Sequence, residues 1–222
     1  MGKSVVIFGA TGLVGASCVA QLLDDPACDA VHVVGRRGPE RRHAKLTVHQ
    51  TDLDNLDQLA ALKIGTPDAV LCCLGTTIAK AGSQEAFRRV DFTYVVNAAR
   101  YAKVCGAPQF LVVTAVGSDP ASSVFYSRVK GEVEKAVTDV GPASVTIFRP
   151  SLILGPRQES RLKERIAKSV AQALAFAMVG GLSKYRPIHA YTIARAMLRA
   201  AAERKPGMRV CEYDEMVKLA AS

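Results

Sequence analysis

Apolar residues fall along this chain in short, nearly unbroken runs: "SVVIFG" (4–9), "AVHVVG" (30–35), "KLTVHQ" (45–50), "DAVLCCLG" (68–75), "QFLVVTA" (109–115) and "SVTIFRP" (144–150). Runs of this length without polar alternation predict strands covered on both faces. Between them, apolar positions recur at helical spacing near 13–24, 55–63, 84–104 and 123–139. Such alternation predicts an α/β fold, a doubly wound parallel sheet with helices on both faces. Beyond Pro150 the pattern changes to a basic helix, an apolar stretch ending "VGGL" and then "TIARAMLRAAAER". No Ser/Gly linker precedes this tail, so 1–222 is expected to form one domain, to which 151–222 adds a small substrate-side cap.

Composition narrows the class. The chain has 222 residues, 49% hydrophobic and 22% charged, as expected of a globular protein with a sizeable core. The longest weakly polar run, "SVAQALAFAMVGGL", is too short for a bilayer crossing, and "MGKSVVIFGA" reads as a strand rather than a signal peptide. Cysteines 18, 28, 72, 73, 105 and 211 share no metal-ligand spacing. Reduced thiols and a cytoplasmic location are the expectation. The net charge of +9 gathers in "GRRGPERRHAK" (35–45) and "RQESRLKERIAK" (157–168). No nucleic-acid motif accompanies either cluster, so a phosphate-bearing ligand is expected instead. The 157–168 segment is either a solvated face or a surface for an anionic substrate or protein partner.

"VVIFGATGLVGASCVAQLL" places Gly9, Gly12 and Gly15 between the first strand and the first helix, with Thr11, Leu13 and Val14 among them. In that context the glycines make a phosphate loop: a tight turn, close backbone approach to a pyrophosphate, and close helix packing. The helix start offers N–H groups to the anion. This predicts a Rossmann-like dinucleotide site. About 20 residues on, where an acid would bind the ribose of NAD, the chain has "VVGRRG". Arg36, with Arg37, can pair there with a 2′-phosphate through forked, charge-assisted hydrogen bonds. NADP(H) is therefore the expected cofactor, a solvated basic loop being the plainer alternative.

"GATGLVG", "TDLDNLDQL", "VLCCLGTT", "VDFTYVVNAARYAKVCGAPQFLVVTAVGSD", "FYSRVKGEVE", "FRPSLILGPR" and "YRPIHAYTIARAML" occur in this order. Together they resemble atypical short-chain dehydrogenases, the Tat-interacting-protein-like oxidoreductases of the NAD-dependent epimerase/dehydratase type. The resemblance runs from residue 3 to about residue 202. It implies that Asp52 and Leu53 flank the adenine and that Leu74, Gly75 and Thr76 line the dinucleotide. Asn97 would have a structural or proton-relay role. Arg149, Pro150 and Ser151 would pass the nicotinamide, and His189 would belong to the cap.

It also gives Tyr126 and Lys130 a meaning that their spacing alone lacks. Four residues apart, they share a helix face, and in the family such a pair follows the fifth strand. Tyr126 would exchange a proton with a substrate oxygen. Lys130 would lower the phenol's ordinary pKa near 10 and hold the nicotinamide ribose. Relatives add a hydroxyl at the end of the fifth strand; Thr114 is the candidate and Ser118 its substitute. Thr192 stands where the family commonly has an aspartate.

The expected function is NADP(H)-dependent reduction of a carbonyl, or oxidation of an alcohol, on a small-molecule substrate. A non-catalytic NADP(H)-binding regulator acting through a protein partner is the alternative. Sugar-nucleotide epimerisation ranks last, because about 70 residues after Pro150 make a small cap.

Overall fold

The computed structural model describes residues 3–155 and 182–222. Strands β1 (Lys3–Phe8), β2 (Cys28–Gly35), β3 (Leu46–Gln50), β4 (Ala69–Cys72), β5 (Gln109–Val113), β6 (Ser144–Phe148) and β9 (Gly207–Cys211) form one sheet in the order β3-β2-β1-β4-β5-β6-β9. Every neighbouring pair is parallel. Two further strands, β7 (Ile153–Leu154) and β8 (Ile188–His189), pair with each other outside it. The expected doubly wound, Rossmann-like fold is what the chain adopts.

The unbroken apolar runs have the predicted cause. Alternate residues of one strand enter different cores: Val5 and Ile7 pack on one face of the sheet, Val6 and Phe8 on the other. Helix α1 (Leu13–Asp24) covers the first face. Helices α2 (Leu56–Ala60), α5 (Tyr94–Val104) and α6 (Phe125–Val140) cover the second. Between α2 and α5 lie two short helices, α3 (Ile78–Ala81) and α4 (Gln84–Arg88). Asn55, Thr77 and Ser83 cap α2, α3 and α4 by accepting backbone N–H bonds.

Two expectations change. The helix read over 84–104 is interrupted by a π-turn at Arg89–Thr93, where the Tyr94 N–H reaches back five residues to the Arg89 carbonyl. The tail read as a substrate-side cap contributes much of itself to the main fold. Helix α7 (Ala190–Glu203) buries Ile193, Ala194 and Met197 in the α1 face of the core. Strand β9 is the seventh of the sheet, and helix α8 (Tyr213–Ala221) follows it with a Glu212/Glu215 capping box. In sequence β9 is only "GMRVC" after "KP", an edge strand whose first two residues are exposed and which has too few apolar residues to stand out. The basic segment 157–168 and the "VGGL" stretch lie outside the described residues.

Candidate cofactor cleft and proton-transfer site

Because all seven strands of the main sheet are parallel, their carboxyl ends gather at one edge, where ligands bind doubly wound sheets. β1 ends there in Gly9, whose φ of +81° only glycine adopts without strain. A Cβ at Gly9 would also stand 2.6 Å from the Cys73 carbonyl carbon. One at Gly15 would overlap the Gly9 carbonyl oxygen and lie 2.9 Å from Ala10 Cα. Gly12 is the N-cap of α1, and no side chain caps that helix. Its first N–H groups are thus left for an anion, and a dinucleotide pyrophosphate fits this cradle. Val14 belongs to the loop through its backbone only, since its side chain is in the core. Thr11, Gly12 and Leu13 border a cavity of about 640 Å³, with Leu154, Gly155 and His189 opposite.

A second cavity, of about 390 Å³, opens beside the ends of β2 and β3 and is lined by Arg36, Gln50, Thr51, Asp52, Arg89 and Tyr94. The Arg36 guanidinium lies 5.8 Å from the Tyr94 ring centroid, and Gln50 Nε2 donates to the Arg36 carbonyl at 2.9 Å. Asp54 holds Arg89, accepting from its Nε at 2.7 Å. The sequence reading missed Arg89 and Tyr94, because they sit in a stretch read as plain helix. Arg37 is exposed and does not line this cavity. Leu53, expected at the adenine, turns its side chain into the core. Of the two roles considered for Asn97, the structural one is observed: its Nδ2 donates to the Leu53 carbonyl at 2.9 Å and the Asp54 carbonyl at 3.2 Å.

Tyr126 and Lys130 line neither cavity; Lys130 stands at the end of β4, so that along the sheet edge the glycine turn of β1 lies between this pair and the Arg36 cavity of β2 and β3. Lys130 Nζ lies 2.7 Å from Asp91 Oδ1, with side-chain exposures of 5% and 1%, so this is a buried ion pair. The other carboxylate oxygen accepts the Thr76 N–H at 2.8 Å. A Cβ at Gly75 would be 3.5 Å from Asp91 Oδ1 and 3.9 Å from Lys130 Nζ, so Leu74–Thr76 passes directly over the pair. Phe87 packs on the Tyr126 ring, with centroids 5.7 Å apart. Burial raises the Tyr126 pKa; the Lys130 ammonium opposes this and the Asp91 carboxylate adds to it. Lys130 does pull the phenol down, as expected, but burial outweighs it and the Tyr126 pKa stands above the ordinary tyrosine value. Burial pulls Lys130 itself down, but the attractions of Asp91, Tyr126 and Cys72 prevail and its pKa is raised.

Thr114 also differs from expectation. Its hydroxyl donates to Glu134 Oε1 at 2.6 Å. A hydroxyl has one proton to give, so in this arrangement Thr114 cannot also donate to a substrate carbonyl. Ser118 donates its proton to the Ala115 carbonyl at 2.7 Å. Glu134 in turn accepts from Arg149 Nε at 3.0 Å, which ties α6 to the end of β6. Here Arg149 is a structural anchor, as is Ser151, whose hydroxyl bonds the Arg186 carbonyl. The Pro150 carbonyl accepts the Val116 N–H at 2.9 Å. Replacing Glu134 by Ala strands the half-buried Arg149 and frees Thr114. With Arg149 still 26% exposed, the expected cost is about 2–3 kcal/mol. A thermal melt monitored by circular dichroism checks it, and an unchanged Tm would show that the network adds nothing.

With this geometry in hand, comparison with known proteins is decisive at the family level. The model of the NAD dependent epimerase/dehydratase family matches residues 5–211. The chain belongs to that family. Among its relatives, rat Protein HTATIP2 is 35% identical over 199 residues, covering 88% of this chain and 80% of the other. Candida albicans Protein FMP52, mitochondrial, is 31% identical over 228 residues and 99% of both chains. The Bordetella bronchiseptica enzyme WbmH, solved in complex with NAD+, superposes with a TM-score of 0.72 at 17% identity, over 96% of this chain and 76% of that one. A short chain dehydrogenase family protein of Francisella tularensis superposes with a TM-score of 0.65 at 12% identity, over the whole of both chains. The kinship expected from the motifs is borne out by this family match. Among the described residues, no helix is long and apolar enough to cross a membrane. The cytoplasmic location expected from the sequence is not carried by these names, the Candida relative being called mitochondrial.

Proposed function

We propose that this family member is an NADP(H)-dependent oxidoreductase that reduces a carbonyl on a small molecule, with Tyr126 as the proton donor. The observation that carries the reading is the order along one sheet edge: the Arg36 cavity at β2 and β3, the glycine cradle at β1, and then Tyr126 and Lys130 beside β4. The glycine cradle at Gly9–Gly15 suits a pyrophosphate. The Arg36–Arg89 cavity suits an adenosine that bears a 2′-phosphate. When bound, NADPH supplies the hydride. Tyr126, kept a phenol by burial and by Asp91, gives its proton to the carbonyl oxygen as that oxygen gains charge. Lys130, fixed by Asp91, stabilises the phenolate left behind, and Leu74–Thr76 covers the ion pair.

The cofactor half of this reading is tested by affinity. Arg36→Ala is expected to weaken NADPH binding about 10- to 100-fold, the equivalent of one or two charge-assisted hydrogen bonds, and to leave NADH binding nearly unchanged. Calorimetric titration of both nucleotides measures this. Equal affinity of the parent protein for NADPH and NADH would remove the NADP assignment.

A second reading, cofactor binding without turnover, draws support from the hydroxyls of Thr114 and Ser118, whose protons are both directed elsewhere. It predicts tight NADPH binding with no consumption of NADPH across a broad carbonyl panel.

A further inference from the structure

Asp91 is the most deeply buried charged side chain near the cleft, and the mechanism above gives it no chemistry of its own. Its position is the product of a local distortion. An uninterrupted α-helix over 84–104 would follow one regular face pattern; the π-turn at Arg89–Thr93 adds a residue to one turn. Asp91 is the buried member of that turn. Its neighbours Arg89 and Phe92 keep outer positions, Arg89 on Asp54 and Phe92 under the Arg88 guanidinium. The carboxylate is then shared between two elements, Lys130 of α6 and the Thr76 N–H beyond β4.

A buried carboxylate is expensive unless matched in charge and hydrogen bonding. Here both needs are met by groups next to Tyr126. We propose that Asp91 is a positioning residue for the Tyr126–Lys130 pair: it fixes the ammonium beneath Gly75 and offsets part of its charge, so that Lys130 is held in place while Tyr126 keeps a proton to give. This deepens the reductase reading and rests on it for its meaning, while its test does not require turnover.

The groups facing Tyr126 and Lys130 can be named from each packed element. α6 supplies the pair itself, the π-turn supplies Asp91, and β4 supplies Cys72, whose thiol burial pushes up to about 12 and so keeps neutral. Phe87 of α4 contributes a ring and no charge. Asp91 and Lys130 are thus the two charges that set the phenol.

The experiment is a phenolate titration by absorbance near 295 nm from about pH 8 to about pH 12.5, with the Tyr126→Phe form of each variant subtracted to isolate this one tyrosine. In Asp91→Asn the ammonium is uncompensated, and the Tyr126 signal is expected to appear about one pH unit or more lower than in the parent chain. In Lys130→Met the carboxylate is uncompensated, and the signal is expected to move the other way. Restoring the phenol's parent behaviour in the double variant Asp91→Asn/Lys130→Met would tie both shifts to this ion pair. An unmoved midpoint in Asp91→Asn overturns the proposal. So does a Lys130→Met shift downward or no shift at all, which is informative even where Asp91→Asn fails to fold. Assays of NADPH consumption by the parent chain across a carbonyl panel keep the two readings apart: shifted midpoints without turnover leave Asp91's role standing and remove the reductase.

Discussion

Tyr126→Phe is expected to lower NADPH-dependent reduction of a carbonyl substrate by about 10²- to 10⁴-fold, the range that a positioned proton donor contributes. The change removes one oxygen and leaves the ring, so the packing on Phe87 is retained. It also leaves untouched the two half-sites proposed for the nucleotide, Gly9–Gly15 and the Arg36 cavity. The loss is therefore expected in kcat, with NADPH affinity within about twofold of the parent, because less than 0.5 kcal/mol of binding is at stake. Steady-state assays on a responding substrate, paired with calorimetric NADPH titration, separate the two quantities. Undiminished kcat would remove Tyr126 from the chemistry. A parallel fall in nucleotide affinity would point instead to a binding role.

Gly15→Ala is expected to do the opposite: it damages the cradle and leaves the proton-transfer groups in place. The added methyl would occupy the space of the Gly9 carbonyl oxygen, and a backbone atom cannot turn aside as a side chain can. Helix α1 must back away from the β1 turn, taking its uncapped N–H groups off the pyrophosphate. Stability is expected to fall by about 3 kcal/mol, a drop in Tm of about 6–12 °C for a chain of this size. NADPH affinity is expected to fall more than 100-fold, about 3 kcal/mol of anion contacts. A thermal melt and a binding isotherm check each part. A Gly15→Ala protein that melts and binds like its parent would mean that α1 sits farther from Gly9 than this geometry allows.

What could be read in the sequence was whatever short-range pattern controls. The strands of the sheet centre announce themselves because both their faces are buried, and the glycine loop because its residues are constrained by backbone geometry. Asp91 could not be read in this way. A lone acid in "RRVDFTY" looks like a solvated helix residue until the π-turn rotates it inward, and no residue type marks that turn. Arg89 was hidden by the same misplaced helix face. For Thr114 the sequence offered a hydroxyl at the right strand end, but its proton goes to Glu134, which lies 20 positions later and forms a contact that only the fold creates. Leu53 was misassigned because a strand-end segment alternates between cleft and core, and motif position alone does not say which residue faces which.

Strand β9 has a consequence for the order in which the fold assembles. The backbone N–H of Arg149, at the end of β6, is bonded to the carbonyl of Cys211, so the residue that braces Glu134 and, through it, Thr114 is secured by a strand far along the chain. The turn from β1 into α1 joins segments adjacent in sequence, whereas the pairing of Ser144 with Gly207 joins residues 63 positions apart. Contacts of such long range form more slowly than local ones, so the far side of the cleft is expected to close after the glycine turn has formed.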